Sequence, residues 1–170
     1  MDQDWLERLQ QDFSFMRRDH EDEGSGIYTR WGCQCNSGWE PLLRECCRQI
    51  VDKYAEYGIG SDDIDLVPVQ IKEKFGTLRF YYGYKDAPCR LAAIDNVGAG
   101  TGIRFVLGNT DDDENTGKLR HEIALIIRAA EEKSKTTCEI CGLPGVLRNK
   151  RGRIETLCDA CNRKHKSYSS

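Results

Sequence analysis

Val67-Pro68-Val69-Gln70-Ile71-Lys72-Glu73-Lys74-Phe75-Gly76-Thr77-Leu78-Arg79-Phe80-Tyr81-Tyr82 is the stretch that decides the fold. Val67, Val69 and Ile71 alternate with Pro68, Gln70 and Lys72. Past Lys74-Phe75-Gly76, Leu78, Phe80 and Tyr82 alternate with Arg79 and Tyr81. Period two on both sides of a glycine-containing turn predicts a β-hairpin. Pro68 has no N–H to donate and suits the start or edge of its strand. Lys72, Lys74 and Arg79 are the outward side chains expected to meet a binding partner.

Upstream, Trp39, Leu43, Cys46, Ile50, Tyr54 and Tyr57 step by four and three, which predicts a helix. Gly58 supplies its stop, Pro41 fits its first turn, and Ser37 or Asn36 is placed to cap it. Further back, Trp5, Leu6, Leu9, Phe13 and Met16 predict an amphipathic helix near residues 3–18. A polar linker ending in Gly24-Ser25-Gly26 follows. Downstream, Ile103, Phe105 and Leu107 alternate and predict a third strand after a long connection over 84–101. Asp111 to Gly117 reads as a loop. Leu119, Ile123, Ile126, Ile127 and Ala130 then mark a second strong helix ending near Ser134. The expected fold class is α+β, with helices packed on one face of a small antiparallel sheet and a C-terminal zinc-ribbon-like module. The chain divides into an acidic N-terminal helix and linker (1–30), an α+β core (31–134) and the zinc module with its basic tail (135–170).

The 170 residues are 39% apolar and 31% charged, a globular balance. A chain of this length buries roughly 70% of its unfolded surface, so the core needs no staple. No run has the length of a membrane span, and the acidic amphipathic start is unlike a signal peptide, so a cytoplasmic location and no membrane partner are expected. The net charge of −3 hides an asymmetry. Residues 1–23 carry eight acids against Arg8, Arg17 and Arg18, whereas residues 135–170 carry eight Lys or Arg against Glu139, Glu155 and Asp159.

Nine cysteines without a signal peptide argue for metal binding or buried thiols over disulfides. Cys138-x2-Cys141, sixteen residues, then Cys158-x2-Cys161 has the spacing of a four-cysteine site for one structural Zn²⁺. Gly142 follows the first pair, where a positive φ lets backbone N–H groups approach the sulfurs, and Asn162 holds the matching place after the second. Val146-Leu147 and Ile154-Leu157 flank a charged turn, which predicts a short hairpin between two knuckles. His165 is an alternative ligand. Cys33, Cys35, Cys46 and Cys47 are candidates for a second site, but neighbours on a helix point about 100° apart, which favours a core role.

Arg148, Lys150, Arg151 and Arg153 surround the ribbon turn and suit phosphates or an acidic protein surface. Gly98-Ala99-Gly100-Thr101-Gly102 lacks the Lys-Ser/Thr of a phosphate loop and leads into a strand pattern, so it reads as a connection. His20, His121 and His165 form no catalytic motif. No catalytic residue is therefore expected, and the chain reads as a non-enzyme.

GWEPLL (38–43), VQIKEKFGTLRFYY (69–82), AEEKS (130–134), TCEICGLPG (137–145) and TLCDACN (156–162) together resemble a family of small uncharacterised proteins of bacteriophages and prophages. The resemblance spans residues 31–162, and the KEKFGTLRFY hairpin and CEICG knuckle are its most specific parts. Relatives commonly have a single Cys and a His near the second knuckle, whereas this chain has both Cys158 and Cys161. The resemblance implies an accessory protein that binds and inhibits or redirects a host or anti-phage defence protein. The alternative expectation is a nucleic-acid-binding regulator using the basic turn. A third is a small-molecule binder built around Arg79 and Tyr81.

Overall fold

The computed structural model describes residues 4–18, 27–86, 113–150 and 152–167. In chain order these form α1 (Asp4–Asp12), α2 (Ile27–Trp31), β1 (Cys33–Gln34), α3 (Glu40–Glu56), β2 (Leu66–Lys74), β3 (Thr77–Tyr84), α4 (Glu114–Ser134), β4 (Val146–Lys150), β5 (Arg153–Leu157) and α5 (Asp159–Ser167). The class is mixed helix and sheet, as the alternating and helical spacings predict.

β2 and β3 form the expected antiparallel hairpin, with Ile71 opposite Phe80 and Lys72 opposite Arg79. Its register shifts between Pro68 and Gln70, so the proline sits beside an irregularity that spares the ladder. Phe75 and Gly76 form a two-residue turn with φ of 53° and 71°. Positive φ at both positions matches the right-handed twist of the flanking strands. Glu73 Oε1 accepts the Gly76 N–H at 2.6 Å, and Thr77 Oγ1 donates to Lys74 O at 2.8 Å.

The sheet is not wholly antiparallel. Its third strand is β1, which runs parallel to β2 and pairs Cys33 with Ile71 and Gln34 with Lys72. Two residues are too few to show a period. The strand expected over 103–107 lies outside the described residues.

Leu43, Cys46, Cys47, Ile50 and Tyr54 of α3 and Leu119, Ile123 and Ile127 of α4 are buried in one core with Leu78, Phe80, Tyr82 and Tyr84 of β3. Each large side chain buried this fully contributes about 1.5–3 kcal/mol of transfer free energy. Trp5, Leu6 and Leu9 of α1 enter the same core. The N-terminal helix is shorter than its apolar spacing predicts. It ends at Asp12, Phe13 is extended, and Ser14–Met16 make a tight 3-10 turn. Tertiary bonds hold that turn: Ser14 Oγ donates to Ser61 O at 2.7 Å and Tyr28 Oη donates to Met16 O at 2.7 Å.

α3 likewise begins without the expected cap. Ser37–Trp39 wind as a 3-10 turn that runs straight into the helix, and no side chain caps it. Pro41 lies in the first turn and Gly58, at φ 75°, follows the end. α4 starts within the expected acidic loop, where Asp113 Oδ1 accepts the Thr116 N–H at 2.9 Å. At its other end α4 covers the free edge of β3. Ser134 Oγ accepts the Leu78 N–H at 2.9 Å, and Glu131 Oε1 accepts the Phe80 N–H at 2.8 Å. Donors that would template a foreign strand are thereby satisfied.

Candidate metal centre

The sulfurs of Cys138, Cys141, Cys158 and Cys161 all lie within 4.8 Å of one another, and Cys141 Sγ is 3.6 Å from Cys158 Sγ. Zinc–sulfur bonds of about 2.3 Å in a tetrahedron put sulfurs about 3.8 Å apart, so the arrangement fits a four-coordinate ion. Tetrahedral four-thiolate sets of this kind hold zinc or iron.

Different local structures present the two pairs. Cys138 and Cys141 sit on a knuckle: Gly142 N donates to Cys138 O at 2.9 Å, and Cys138 N donates to Leu143 O at 2.8 Å. Gly142 has the expected positive φ, 76°. The second pair departs from the expectation. Cys158 precedes α5 and Cys161 lies in its first turn, so Asn162 is helical and does not take the place of Gly142. The amide-lined start of the helix serves the same purpose. Cys161 N–H points to Cys158 Sγ at 3.4 Å. That bond, ahead of the neighbouring thiols, lowers the Cys158 pKa to about 7. Thiolate is the ligating form. Burial and the adjacent thiols raise Cys161, and a bound divalent cation would reverse that.

Between the pairs, β4 and β5 form the predicted hairpin, pairing Val146 with Leu157 and Leu147 with Thr156. This small sheet is seated on the core by close backbone approaches. Gly38 N donates to Glu139 O at 3.0 Å, and Trp39 Nε1 donates to Thr137 O at 2.9 Å. Thr156 Oγ1 donates to Gly76 O at 2.6 Å, which ties the β2–β3 turn to β5. A Cβ at Gly38 would lie 2.6 Å from Cys138 O. Glu139 is almost fully buried here, and burial, then Glu73 and Glu155, push its carboxyl up to about 7.

The sequence singled out neither Gly38 and Trp39 nor Glu131 and Ser134 for a role. Trp39 and Ser134 read only as parts of the two helices, and all four belong to the GWEPLL and AEEKS segments. The other cysteine group does not converge in the same way. Cys33, Cys35, Cys46 and Cys47 are buried, and burial raises the thiols of Cys33, Cys46 and Cys47. Among the described residues, the C-terminal four are the group whose ligand atoms converge. The side chain of His165, residues 98–102 and Arg151 lie outside the described residues.

Of the proposed partner-binding residues, Lys72, Lys74 and Arg79 share the outer face of the hairpin. Arg148 and Arg153 are already engaged. Arg148 Nε donates to Leu157 O at 3.0 Å and its Nη2 contacts Asp159 at 2.5 Å, while Arg153 Nε lies 2.8 Å from Glu155 Oε1. Lys150 ends β4. No described helix is long and apolar enough to cross a membrane. No family model matches the chain, and no curated protein or solved structure matches it.

Proposed function

We propose that this chain is a non-enzymatic, zinc-stabilised binding protein of the phage accessory kind. It engages a host or defence protein and blocks or redirects it. The observation that carries this reading is the convergence of four cysteine sulfurs on one point at the seam between knuckle, hairpin and core. Four thiolates saturate a tetrahedral zinc, so the ion serves architecture and has no position for a reacting water. Its architecture is better described as one knuckle, a hairpin and a helix than as a ribbon with two knuckles. The phage context comes from the GWEPLL, KEKFGTLRFY and CEICG segments.

The nucleic-acid reading draws on the basic turn of β4–β5. Arg148 and Arg153, the two basic side chains of that turn among the described residues, are both paired with carboxylates and so are not free for phosphates. A protein partner is therefore preferred.

The test is an affinity pull-down of the zinc-loaded protein from nuclease-treated bacterial lysate, with mass spectrometry and a zinc assay on the same sample. A discrete protein partner whose activity changes when the chain is added supports the proposal. Enrichment that disappears with nuclease moves the function to nucleic acid, and metal-dependent turnover by the purified chain overturns the non-enzymatic reading.

A further inference from the structure

We propose that the β2–β3 turn, with Phe75 exposed, Leu147 against Gly76 and Lys72, Lys74 and Arg79 behind, docks an acidic protein segment that contributes one apolar side chain and flanking carboxylates. This rests on the protein-binding reading above and names the surface and the chemistry of the partner.

Two features of the turn are costly unless something binds there. The first is Phe75, which is 53% exposed at φ 53°. The left-handed region costs a residue with a bulky side chain about 1–2 kcal/mol, and Asn or Gly would meet the needs of the turn without that cost. An exposed aromatic ring gains nothing from the core in return. It is positioned as an anchor. Leu147, also more than half exposed, stands against the neighbouring Gly76, where a Cβ would come within 2.4 Å of its Cδ1. The two side chains flank the same turn from different sheets.

The second feature is like charge. Lys72 and Arg79 are direct cross-strand partners on the outer face. Like charges in that position destabilise a hairpin. Among the described residues neither is in an ion pair. Lys74 stands near both, and desolvation, then Lys72 and Arg79, hold its ammonium below the ordinary range. Carboxylates from a partner relieve this repulsion, so the face is complementary to an acidic segment.

Phosphates would answer the same charge, but the exposed Phe75 and Leu147 call for an apolar side chain as well, which a protein segment supplies. The Lys72 ammonium lies 5.4 Å from the Tyr81 ring centroid, and the Lys74 ammonium lies 5.4 Å from that of Phe75. One face of each ring is thus occupied by a cation from this chain. A carboxylate partner can pair with each ammonium and leave the cation–π contact intact.

The experiment uses fluorescence anisotropy with the zinc-loaded full chain. The probes are a labelled peptide alternating glutamate with phenylalanine, its glutamine counterpart, and a thymidine oligonucleotide of equal charge. The glutamate peptide is expected to bind about tenfold or more tightly than the glutamine peptide. The Lys72→Glu/Arg79→Glu double variant should abolish that preference while keeping zinc content and Tm. Phe75→Asn should weaken binding about tenfold yet raise Tm by about a few degrees, because Asn accepts the turn geometry. A variant that folds better and binds worse separates recognition from stability. Equal affinity for the two peptides, a tighter oligonucleotide complex, or unchanged affinity in Phe75→Asn would each overturn the proposal. If it falls while the lysate partner still binds the double variant, the protein-binding function stands and uses another surface. If the nuclease-treated pull-down is empty, the parent reading fails independently.

Discussion

Two groups of four cysteines stand in this chain, and their fates differ. Cys138, Cys141, Cys158 and Cys161 bring their sulfurs to one point. Cys33, Cys35, Cys46 and Cys47 are all buried, whereas Cys141 is exposed, and they lie on a two-residue strand, the residue after it and one helix. The difference is backbone geometry. A knuckle and a helix start each turn two sulfurs inward and aim N–H groups at them, whereas Cys46 and Cys47 are successive helical residues pointing about 100° apart. Cysteine count says little about metal. What decides is whether the intervening backbone can fold each pair around a common centre.

The comparison breaks most sharply on metal removal. Chelation, or Cys138→Ser, should release the β4–β5 module and expose the seam. Structural zinc supplies on the order of 10–16 kcal/mol of apparent binding free energy in small modules, so the loss should be the largest of any single change. Zinc content, Tm and limited proteolysis after residue 134 measure it. A metal-free chain with unchanged Tm and protease resistance would remove the structural role.

Next in size is Gly38→Ala. Its Cβ would sit 2.6 Å from Cys138 O and from the Glu139 carbonyl, all backbone atoms with little room to move. A destabilisation of about 2–4 kcal/mol is expected in denaturant titrations, with weaker zinc retention. Full stability would mean that the knuckle does not press on the 37–39 turn as described.

How much of this was legible beforehand follows the same division. The β2–β3 hairpin, the α3 and α4 spacings and the four converging cysteines carry local signals: alternation, helical period, paired cysteines. The seam carries none. Trp39 reads as an ordinary core residue, and nothing local says that its indole N–H will reach Thr137, far along the chain. Glu131 and Ser134 look like solvated residues at a helix end, yet they satisfy the edge of β3. The Asn162 expectation failed because two CxxC pairs look alike in sequence, although one closes a knuckle and the other opens a helix. β1 was too short to show a period, and α1 ended early because its last turn is held by residues elsewhere.

Glu139→Gln sharpens the comparison through pH. Glu139 is raised in the folded chain from an ordinary 4.5 to about 7. The native state therefore holds a proton that the unfolded state has lost between those values. Its contribution to stability is fully present below 4.5 and is lost as pH rises through 7. A bound zinc thiolate unit is itself negative and pushes in the same direction. The glutamine variant should match the wild type near pH 4 and exceed it by about 1–2 kcal/mol at pH 8. Denaturant midpoints at the two pH values decide it, and a difference that does not change with pH would mean the buried carboxyl is not raised.

The smallest effect tests the other cysteine group directly. Cys47 is fully buried in α3 and its thiol is pushed up by that burial, so it behaves as a small apolar side chain. Cys47→Ala removes one sulfur from a packed core and should cost about 1 kcal/mol, as other single-group deletions do. Zinc stoichiometry should stay at about one per chain in this variant. Cys47→Ser should cost more than Cys47→Ala, because a buried hydroxyl needs a partner that a thiol does not. That ordering is the signature of packing. A ligand site would show the opposite pattern, with metal lost in both variants and alanine no better tolerated than serine. Two zinc ions per wild-type chain, falling to one in Cys47→Ala, would unite the two cysteine groups in a single chemistry and erase the distinction drawn between them.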